Sequence, residues 1–140
     1  HPELQLSENI SASEDLGGVV NGAEYILVAT PSSIFNKIIP RLEPHIDSSA
    51  FVISCTKGIQ PNPFSTMTEI ISKHLGHIIG DKVGALSGPN LAKEIADQKI
   101  AGTVIASSNK TLSSEIKTIL SSNTFKVFSS ADTQGVELAG

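Results

Sequence analysis

Residues 50–59 have the sequence AFVISCTKGI, and this stretch is the centre of the predicted fold. Its apolar residues follow one another without alternation, which is typical of a strand that a sheet buries on both faces. The run then becomes polar and ends at Lys57 and Gly58. Ligands of open α/β sheets bind just outside the carboxyl ends of the strands, and a glycine there lets the backbone turn tightly. Lys57 is therefore a candidate functional cation, with an ordinary solvated lysine as the alternative.

Strand-like and helical segments alternate through the rest of the chain. Short apolar runs predict further strands at 25–29, 83–86, 102–106 and 124–128. Apolar residues at helical spacing predict amphipathic helices over 34–42, 67–78 and 112–120. This alternation predicts an α/β fold with a largely parallel sheet and helices on both faces. The partial alternation of 124–128 places that strand at an edge of the sheet.

The composition excludes several classes of function. The chain has 140 residues, of which 39% are hydrophobic and 17% charged, as expected of a globular domain with a core. Its formal net charge of -4 argues against a nucleic-acid partner, because phosphate binding needs a basic face. No apolar run approaches the roughly 20 residues that span a bilayer, so we expect no membrane insertion. Cys55 is the only cysteine, which excludes an internal disulfide and fits a cytoplasmic location.

A second candidate ligand segment follows the predicted strand at 83–86. Residues 87–94 have the sequence SGPNLAKE, in which Pro89 suits the first position of a helix. Backbone amides between Gly88 and Ala92 would then point out of the helix N-terminus toward a phosphate or another polar group. An ordinary βα turn is the alternative interpretation.

Other motifs that carry chemistry are weak or missing. His74 and His77 are three residues apart on a predicted helix, but two histidines make only half a metal site, and we expect no metal. The chain has no Gly-x-Gly-x-x-Gly turn, P-loop, Gly-x-Ser-x-Gly elbow or Cys-x-x-Cys pair. The residues alone therefore predict Lys57 and the 87–92 turn at adjacent strand ends, and they do not predict a reaction.

Four segments together resemble the bacterial NAD(P)-dependent sn-glycerol-3-phosphate dehydrogenases. They are ILVATPS at 26–32, SCTKGI at 54–59, LSGPNLAKE at 86–94 and DTQGVELAG at 132–140. They occur in the order of that family and with sensible spacing. The resemblance implies a Rossmann-like fold and an oxidoreductase that passes a hydride between NAD or NADP and a small-molecule substrate. The substrate that the resemblance implies is dihydroxyacetone phosphate, whose reduction would give sn-glycerol 3-phosphate for phospholipid synthesis.

The resemblance also implies roles for three residues at the substrate. Lys57 matches the lysine that touches both substrate and cofactor, and its charge would lie near the carbonyl oxygen as this oxygen becomes an alkoxide. Gly88 and Asn90 match positions that contact the substrate. Asn90 stands where the family usually has Ser or Thr, and an amide can still form a hydrogen bond.

Three further residues are expected at the cofactor by the same resemblance. Ala92 matches a cofactor contact, and Pro31 belongs to the segment that follows the first predicted strand. Ile34 stands near the position where related enzymes place an aromatic side chain against the cofactor. It would supply an apolar wall.

The resemblance implies that the chain is the middle of a longer enzyme. Residues 1–131 correspond to a nucleotide-binding domain that is incomplete at its N-terminus, since the glycine-rich turn would lie upstream. Residues 132–140 correspond to the start of the helix that leads to an absent C-terminal substrate domain, and the family's second lysine would follow Gly140. We therefore expect the 140 residues alone to be inactive. A homodimer is one assembly that the resemblance allows.

Two alternatives stay open at this point. One is another dehydrogenase of the same architecture, such as a ketopantoate or pyrroline-carboxylate reductase, which would share the strand before Lys57 but not the Ser-Gly-Pro-x-x-Ala-x-Glu segment. The other is a non-catalytic α/β binding domain.

Overall fold

A five-stranded sheet is the centre of the computed structural model, which describes residues 7–140. Its strands are β1 (Tyr25–Val28), β2 (Phe51–Ser54), β5 (Val83–Ser87), β6 (Ala101–Ala106) and β7 (Phe125–Ser130), and their order is β1-β2-β5-β6-β7. Two short strands, β3 (Gln60–Pro61) and β4 (Phe64–Ser65), form a separate antiparallel pair. Residues 1–6, the start of the expected nucleotide-binding domain, lie outside the described residues.

Helices connect most of the strands of the main sheet. They are α1 (Leu16–Val20), α2 (Ser32–Ile38), α3 (Met67–Ile79), α4 (Ala92–Ala96), α5 (Lys110–Leu120) and α6 (Thr133–Ala139). The helix predicted over 34–42 differs from the structure, because α2 gives way to a 3-10 segment at Ile39–His45. Pro40 and Pro44 lack the N–H groups that would continue an α-helical ladder, which explains the change.

The strand directions confirm the predicted largely parallel sheet and add one antiparallel pair. Strands β1, β2 and β5 run parallel, β6 runs antiparallel to β5, and β7 runs parallel to β6. The connection from β5 to β6 contains only the short helix α4, none of whose residues is buried, so no helix packs on the sheet to carry a parallel crossover. The carboxyl ends of β1, β2 and β5 therefore share one edge with the amino end of β6. Strand β7 is at the side of the sheet, as predicted.

Apolar side chains pack on both faces of this sheet, as predicted. On one face, α1, α2, α3 and the 3-10 segment cover a core that includes Val28, Val52 and Val83. On the other face, α5 packs Leu112 and Ile116 against strand residues such as Ile53 and Val127. The second face is less covered toward β1, where Leu27 is 46% exposed.

Tyr25 ties β1 to the face that α5 covers. Its ring stacks on that of Phe51 with the centroids 5.6 Å apart. Its hydroxyl donates a hydrogen bond of 2.6 Å to the carboxylate of Glu115 in α5. This hydrogen bond, together with burial, raises the pKa of Tyr25 to about 12. The first strand is thus held in place by both its neighbour and a helix.

Candidate functional site

The ends of β1 and β2 are joined by a side-chain hydrogen bond. The Thr56 hydroxyl donates to the backbone oxygen of Thr30 at 2.7 Å. Gly58 follows with a φ of +112°, a conformation that favours glycine, and a Cβ there would lie 3.1 Å from the Ser32 hydroxyl oxygen. The loop that carries Lys57 is therefore packed against the first residue of α2.

A pocket of about 440 Å³ opens at this edge of the sheet. Lys57, Gly88 and Asn90 all line it, so the structure brings the three predicted substrate residues together. The Lys57 side chain comes from the loop after β2, whereas Gly88 and Asn90 come from the loop after β5. Apolar side chains complete the wall: Leu27, Leu86, Ile95, Leu120 and Phe125. One cation beside polar groups and an apolar wall can bind a small anionic or carbonyl compound.

Gly88 lies directly against strand β6. A Cβ at this position would be 2.8 Å from the backbone oxygen of Gly102 and 2.9 Å from the Cα of Thr103. Both atoms belong to the backbone of a paired strand, so neither can move easily. The glycine is therefore required by close packing, and it keeps this part of the pocket free of a side chain.

A side chain of strand β6 also holds Asn90 in place. Its Nδ2 group donates to the Thr103 hydroxyl at 3.0 Å, and that hydroxyl donates to the backbone oxygen of Ser87 at 3.0 Å. The Asn90 Oδ1 atom is buried and has no hydrogen-bond partner among residues 7–140. The site thus contains one oriented acceptor that the described residues leave unpaired.

The expected helix start at Pro89 was wrong. Helix α4 begins at Ala92, with Leu91 at its N-cap, and the Asn90 N–H donates to the backbone oxygen of Gly88 at 2.8 Å. Gly88 and Asn90 are engaged with β6, which keeps the loop against the sheet before the helix can begin. The amides of the 88–91 loop therefore do not form a helix N-terminus.

The predicted cofactor residues lie outside the pocket lining. Pro31 is the N-cap of α2, and Ile34, 39% exposed, is in its first turn. Ala92 is exposed at the first position of α4. Because Gly58 packs on Ser32, the start of α2 adjoins the loop that carries Lys57.

Cys55 also lines the pocket, as a half-buried thiol. Burial raises the pKa of its thiol to about 11, so the thiol stays protonated near neutral pH. A protonated, half-buried thiol behaves as a small apolar group.

The two histidines of α3 make separate contacts. His74 Nε2 lies 3.1 Å from Asn36 Oδ1, and His77 Nε2 lies 3.2 Å from Glu43 Oε1. Across residues 7–140 no group of three or more His, Cys, Asp or Glu side chains could hold a metal ion. Within the same residues, none of the helices has the length and apolarity to cross a membrane.

Helix α6 returns the chain to the pocket. The Glu137 carboxylate accepts a hydrogen bond of 2.9 Å from the backbone N–H of Thr68 and another from the Thr68 hydroxyl. At its carboxyl end, a Cβ on Gly140 would overlap the Ser87 hydroxyl oxygen. Glu137 thus anchors α6 on the start of α3, and Gly140 lies beside the loop that carries Gly88.

Comparison with known proteins identifies the family. The model of the family described as "NAD-dependent glycerol-3-phosphate dehydrogenase N-terminus" matches residues 1–113. The chain belongs to this family. The predicted resemblance is confirmed.

Curated relatives in the family are longer than this chain. The glycerol-3-phosphate dehydrogenase (NAD(P)+) of Alcanivorax borkumensis is 39% identical over 139 residues, which are 99% of this chain and 40% of the relative. The protein of the same name from Acinetobacter baylyi is 40% identical over 139 residues, 99% of this chain and 38% of that relative. The chain thus spans about two fifths of the length of these relatives.

Solved structures agree with the fold. The glycerol-3-phosphate dehydrogenase of Coxiella burnetii has a TM-score of 0.90 and 30% identity, over 99% of this chain and 42% of that one. A ketopantoate reductase from Ralstonia eutropha has a TM-score of 0.64 and 15% identity, over 88% of this chain and 39% of that one. The second likeness shows the Rossmann-like architecture alone, so it does not favour the ketopantoate reductase alternative.

Proposed function

We propose that the complete protein interconverts dihydroxyacetone phosphate and sn-glycerol 3-phosphate with NAD or NADP. One observation carries the proposal: Lys57, Gly88 and Asn90 line a single pocket at the ends of β2 and β5. Ligands of such sheets bind at this edge. The pocket belongs to a chain whose family is named for glycerol-3-phosphate dehydrogenase.

Lys57 is the residue proposed to act on the reacting carbonyl. Reduction of dihydroxyacetone phosphate converts its carbonyl oxygen into an alkoxide, and a fixed positive charge lowers the energy of that developing negative charge. A nicotinamide held by the cofactor residues would supply the hydride to the central carbon of the substrate. Lys57 is carried by a loop whose Gly58 packs on Ser32, which fixes the backbone position from which the side chain extends.

The remaining predicted residues are assigned around this cation. Gly88 leaves space for the substrate, and Asn90 offers it a hydrogen bond. Pro31, Ile34 and Ala92 are assigned to the cofactor. Pro31 and Ile34 belong to the start of α2, which packs on the Lys57 loop through Ser32. Ala92 follows residues 88–91, the substrate loop, which carries Gly88 and Asn90. Ile34 would pack against the nicotinamide through its exposed side chain.

The proposal also includes domains beyond the described residues. Strand β1 pairs only with β2 among residues 7–140, so its other edge is unpaired within these residues. We assign residues 1–131 to a nucleotide-binding domain whose further strands, with a glycine-rich turn, pair with β1. We assign 132–140 to the helix that leads into a substrate domain. The proximity of Gly140 to Ser87 favours a proton donor supplied from that direction.

The metabolic role, location and assembly proposed for the whole enzyme follow from its family. Its product would be used for glycerophospholipid synthesis, its location would be the cytoplasm, and its assembly would be a homodimer. The 140 residues alone would not turn over the substrate, because the proton donor and the cofactor's phosphate-binding turn lie outside them.

A substrate comparison tests the proposed function. Full-length protein that contains this sequence is mixed with NADH or NADPH and with dihydroxyacetone phosphate, ketopantoate or pyrroline-5-carboxylate in separate reactions. We expect cofactor oxidation only with dihydroxyacetone phosphate, with equimolar formation of sn-glycerol 3-phosphate. Preferential turnover of either other compound would overturn the proposal, and so would binding without turnover of all three.

A further inference from the structure

Thr103 is a buried hydroxyl that links the substrate loop to β6. The residue is 2% exposed and lies in an otherwise apolar strand. Its hydroxyl donates to the backbone oxygen of Ser87 and accepts from the side-chain Nδ2 of Asn90, both at 3.0 Å. Thr103 therefore contacts the chain both before and after Gly88.

The direction of these hydrogen bonds fixes the orientation of the Asn90 amide. A hydroxyl has one hydrogen to donate. The backbone oxygen of Ser87 can only accept, so Thr103 donates to it and can only accept from Asn90. Asn90 must then direct its NH2 group toward Thr103 and its Oδ1 atom away. A reversed amide would place two acceptors, Oδ1 and the Thr103 oxygen, against each other.

In this orientation, the Oδ1 atom of Asn90 is an unpaired hydrogen-bond acceptor. It is buried and has no partner among the described residues, although Asn90 lines the pocket. An unpaired buried acceptor loses its bonds to water, and a ligand that donates to it restores one. The carbonyl oxygen and the ionised phosphate of dihydroxyacetone phosphate only accept. Its terminal hydroxyl is the one group on it that can donate.

We propose that Thr103 is a positioning residue that holds Asn90 so that Oδ1 accepts a hydrogen bond from the terminal hydroxyl of the substrate. This inference rests on the proposed function. It adds a physical reason for the enzyme to prefer a substrate that has the terminal hydroxyl. A site built to pair with a substrate hydroxyl rejects an analogue that lacks it, because its own polar group is then left unpaired. Acetol phosphate is that analogue: it keeps the carbonyl and the phosphate and has a methyl group in place of the terminal hydroxymethyl.

The test compares kcat/KM for dihydroxyacetone phosphate and acetol phosphate in the full-length enzyme. For the wild type we expect a preference for dihydroxyacetone phosphate of about ten- to a hundredfold, as one lost hydrogen bond at a buried acceptor gives. Thr103→Val keeps the shape of the side chain and removes its hydroxyl, and we expect it to reduce the preference at least about fivefold. Thr103→Ser keeps the hydroxyl and should retain the preference. Any general loss of stability affects both substrates and cancels in the ratio.

A double-mutant cycle separates positioning from a merely structural role. If Thr103 acts through Asn90, Asn90→Ala should lose the preference, and adding Thr103→Val should change it no further. Asn90→Ala also keeps the test open if Thr103→Val does not fold. An unchanged preference in Asn90→Ala, or in a folded Thr103→Val, would overturn the inference. Equal use of both substrates by the wild type would overturn it while leaving the proposed function in place; no turnover of either would instead refute the proposed function.

Discussion

Gly88 is packed against Gly102 so closely that a Cβ on Gly88 would lie 2.8 Å from the Gly102 backbone oxygen. The contact joins the substrate loop to the strand that supplies Thr103. It explains why a glycine occupies this position, and it fixes the distance between the loop and the sheet. The floor of the pocket is therefore set by backbone rather than by movable side chains.

Gly88→Ala should lower the stability of the protein and weaken substrate binding. The added Cβ must displace paired backbone, so we expect unfolding to become easier by about 1–3 kcal/mol and KM for dihydroxyacetone phosphate to rise. Urea unfolding and steady-state kinetics of the full-length enzyme measure the two effects. Gly76→Ala is the matched control, because a Cβ there meets nothing within 4 Å and its helix should gain about 0.5–1 kcal/mol. Equal effects of the two substitutions would contradict the account of Gly88.

Glu137→Gln should loosen α6 from the start of α3. The carboxylate accepts from the N–H and the hydroxyl of Thr68, where a negative charge is favoured by the helix N-terminus. We expect a loss of about 1–2 kcal/mol, smaller at high salt. Thermal unfolding at two salt concentrations measures it, with the exposed Glu14→Gln as the control. A loss of the same size in Glu14→Gln would show that charge alone, and not this contact, is responsible.

Cys55 should react slowly with alkylating reagents until the pH is high. Its pKa, raised to about 11 by burial, leaves about a hundredfold less thiolate at pH 8 than an ordinary thiol near 9 would have. Iodoacetamide labelling, followed at Cys55 by peptide mass spectrometry, should accelerate up to pH 11. Folding favours the protonated thiol, so this contribution to stability is present below pH 9 and is lost as the pH rises toward 11. Labelling that levels off near pH 9 in folded protein would contradict the burial of Cys55.

Ile34→Ala should weaken cofactor binding more than substrate binding. The side chain is 39% exposed beside the Lys57 loop, and removing its outer carbons takes apolar surface from the proposed nicotinamide wall. At about 0.8 kcal/mol for each buried methylene, we expect KM for the cofactor to rise about tenfold, with KM for dihydroxyacetone phosphate nearly unchanged. Ile119→Ala, an exposed isoleucine on α5, serves as the control. A rise in the KM for dihydroxyacetone phosphate alone would show that Ile34 contacts the substrate and not the cofactor.

The sequence predicted the sheet well because its strands are buried runs of apolar residues separated by amphipathic helices. It also placed Lys57 at a strand end, since the run at 51–54 stops abruptly at polar residues. Periodicity carries no information on strand direction, so the antiparallel β5–β6 pair was not foreseen. What set that direction was the absence of a packed helix in the connection.

The parts of the site that were missed depend on contacts between distant segments. Thr103 is one hydroxyl in an apolar strand, and only the folded structure shows that it holds Asn90. The prediction of a helix start at Pro89 was wrong for the same reason. The preference of proline for the first turn of a helix could not reveal that Gly88 packs against β6. A lone polar residue inside an apolar strand run was the available signal for Thr103.

The most direct test of the central claim is the turnover of dihydroxyacetone phosphate by Lys57→Ala in the full-length enzyme. If Lys57 supplies the charge that stabilises the alkoxide, kcat should fall by about 10²–10³-fold or more, with the circular dichroism spectrum unchanged. Lys117→Ala, at an exposed lysine of α5, should keep the wild-type rate. A Lys57→Ala enzyme that also keeps the wild-type rate would show that Lys57 is an ordinary surface lysine and that the reaction occurs elsewhere.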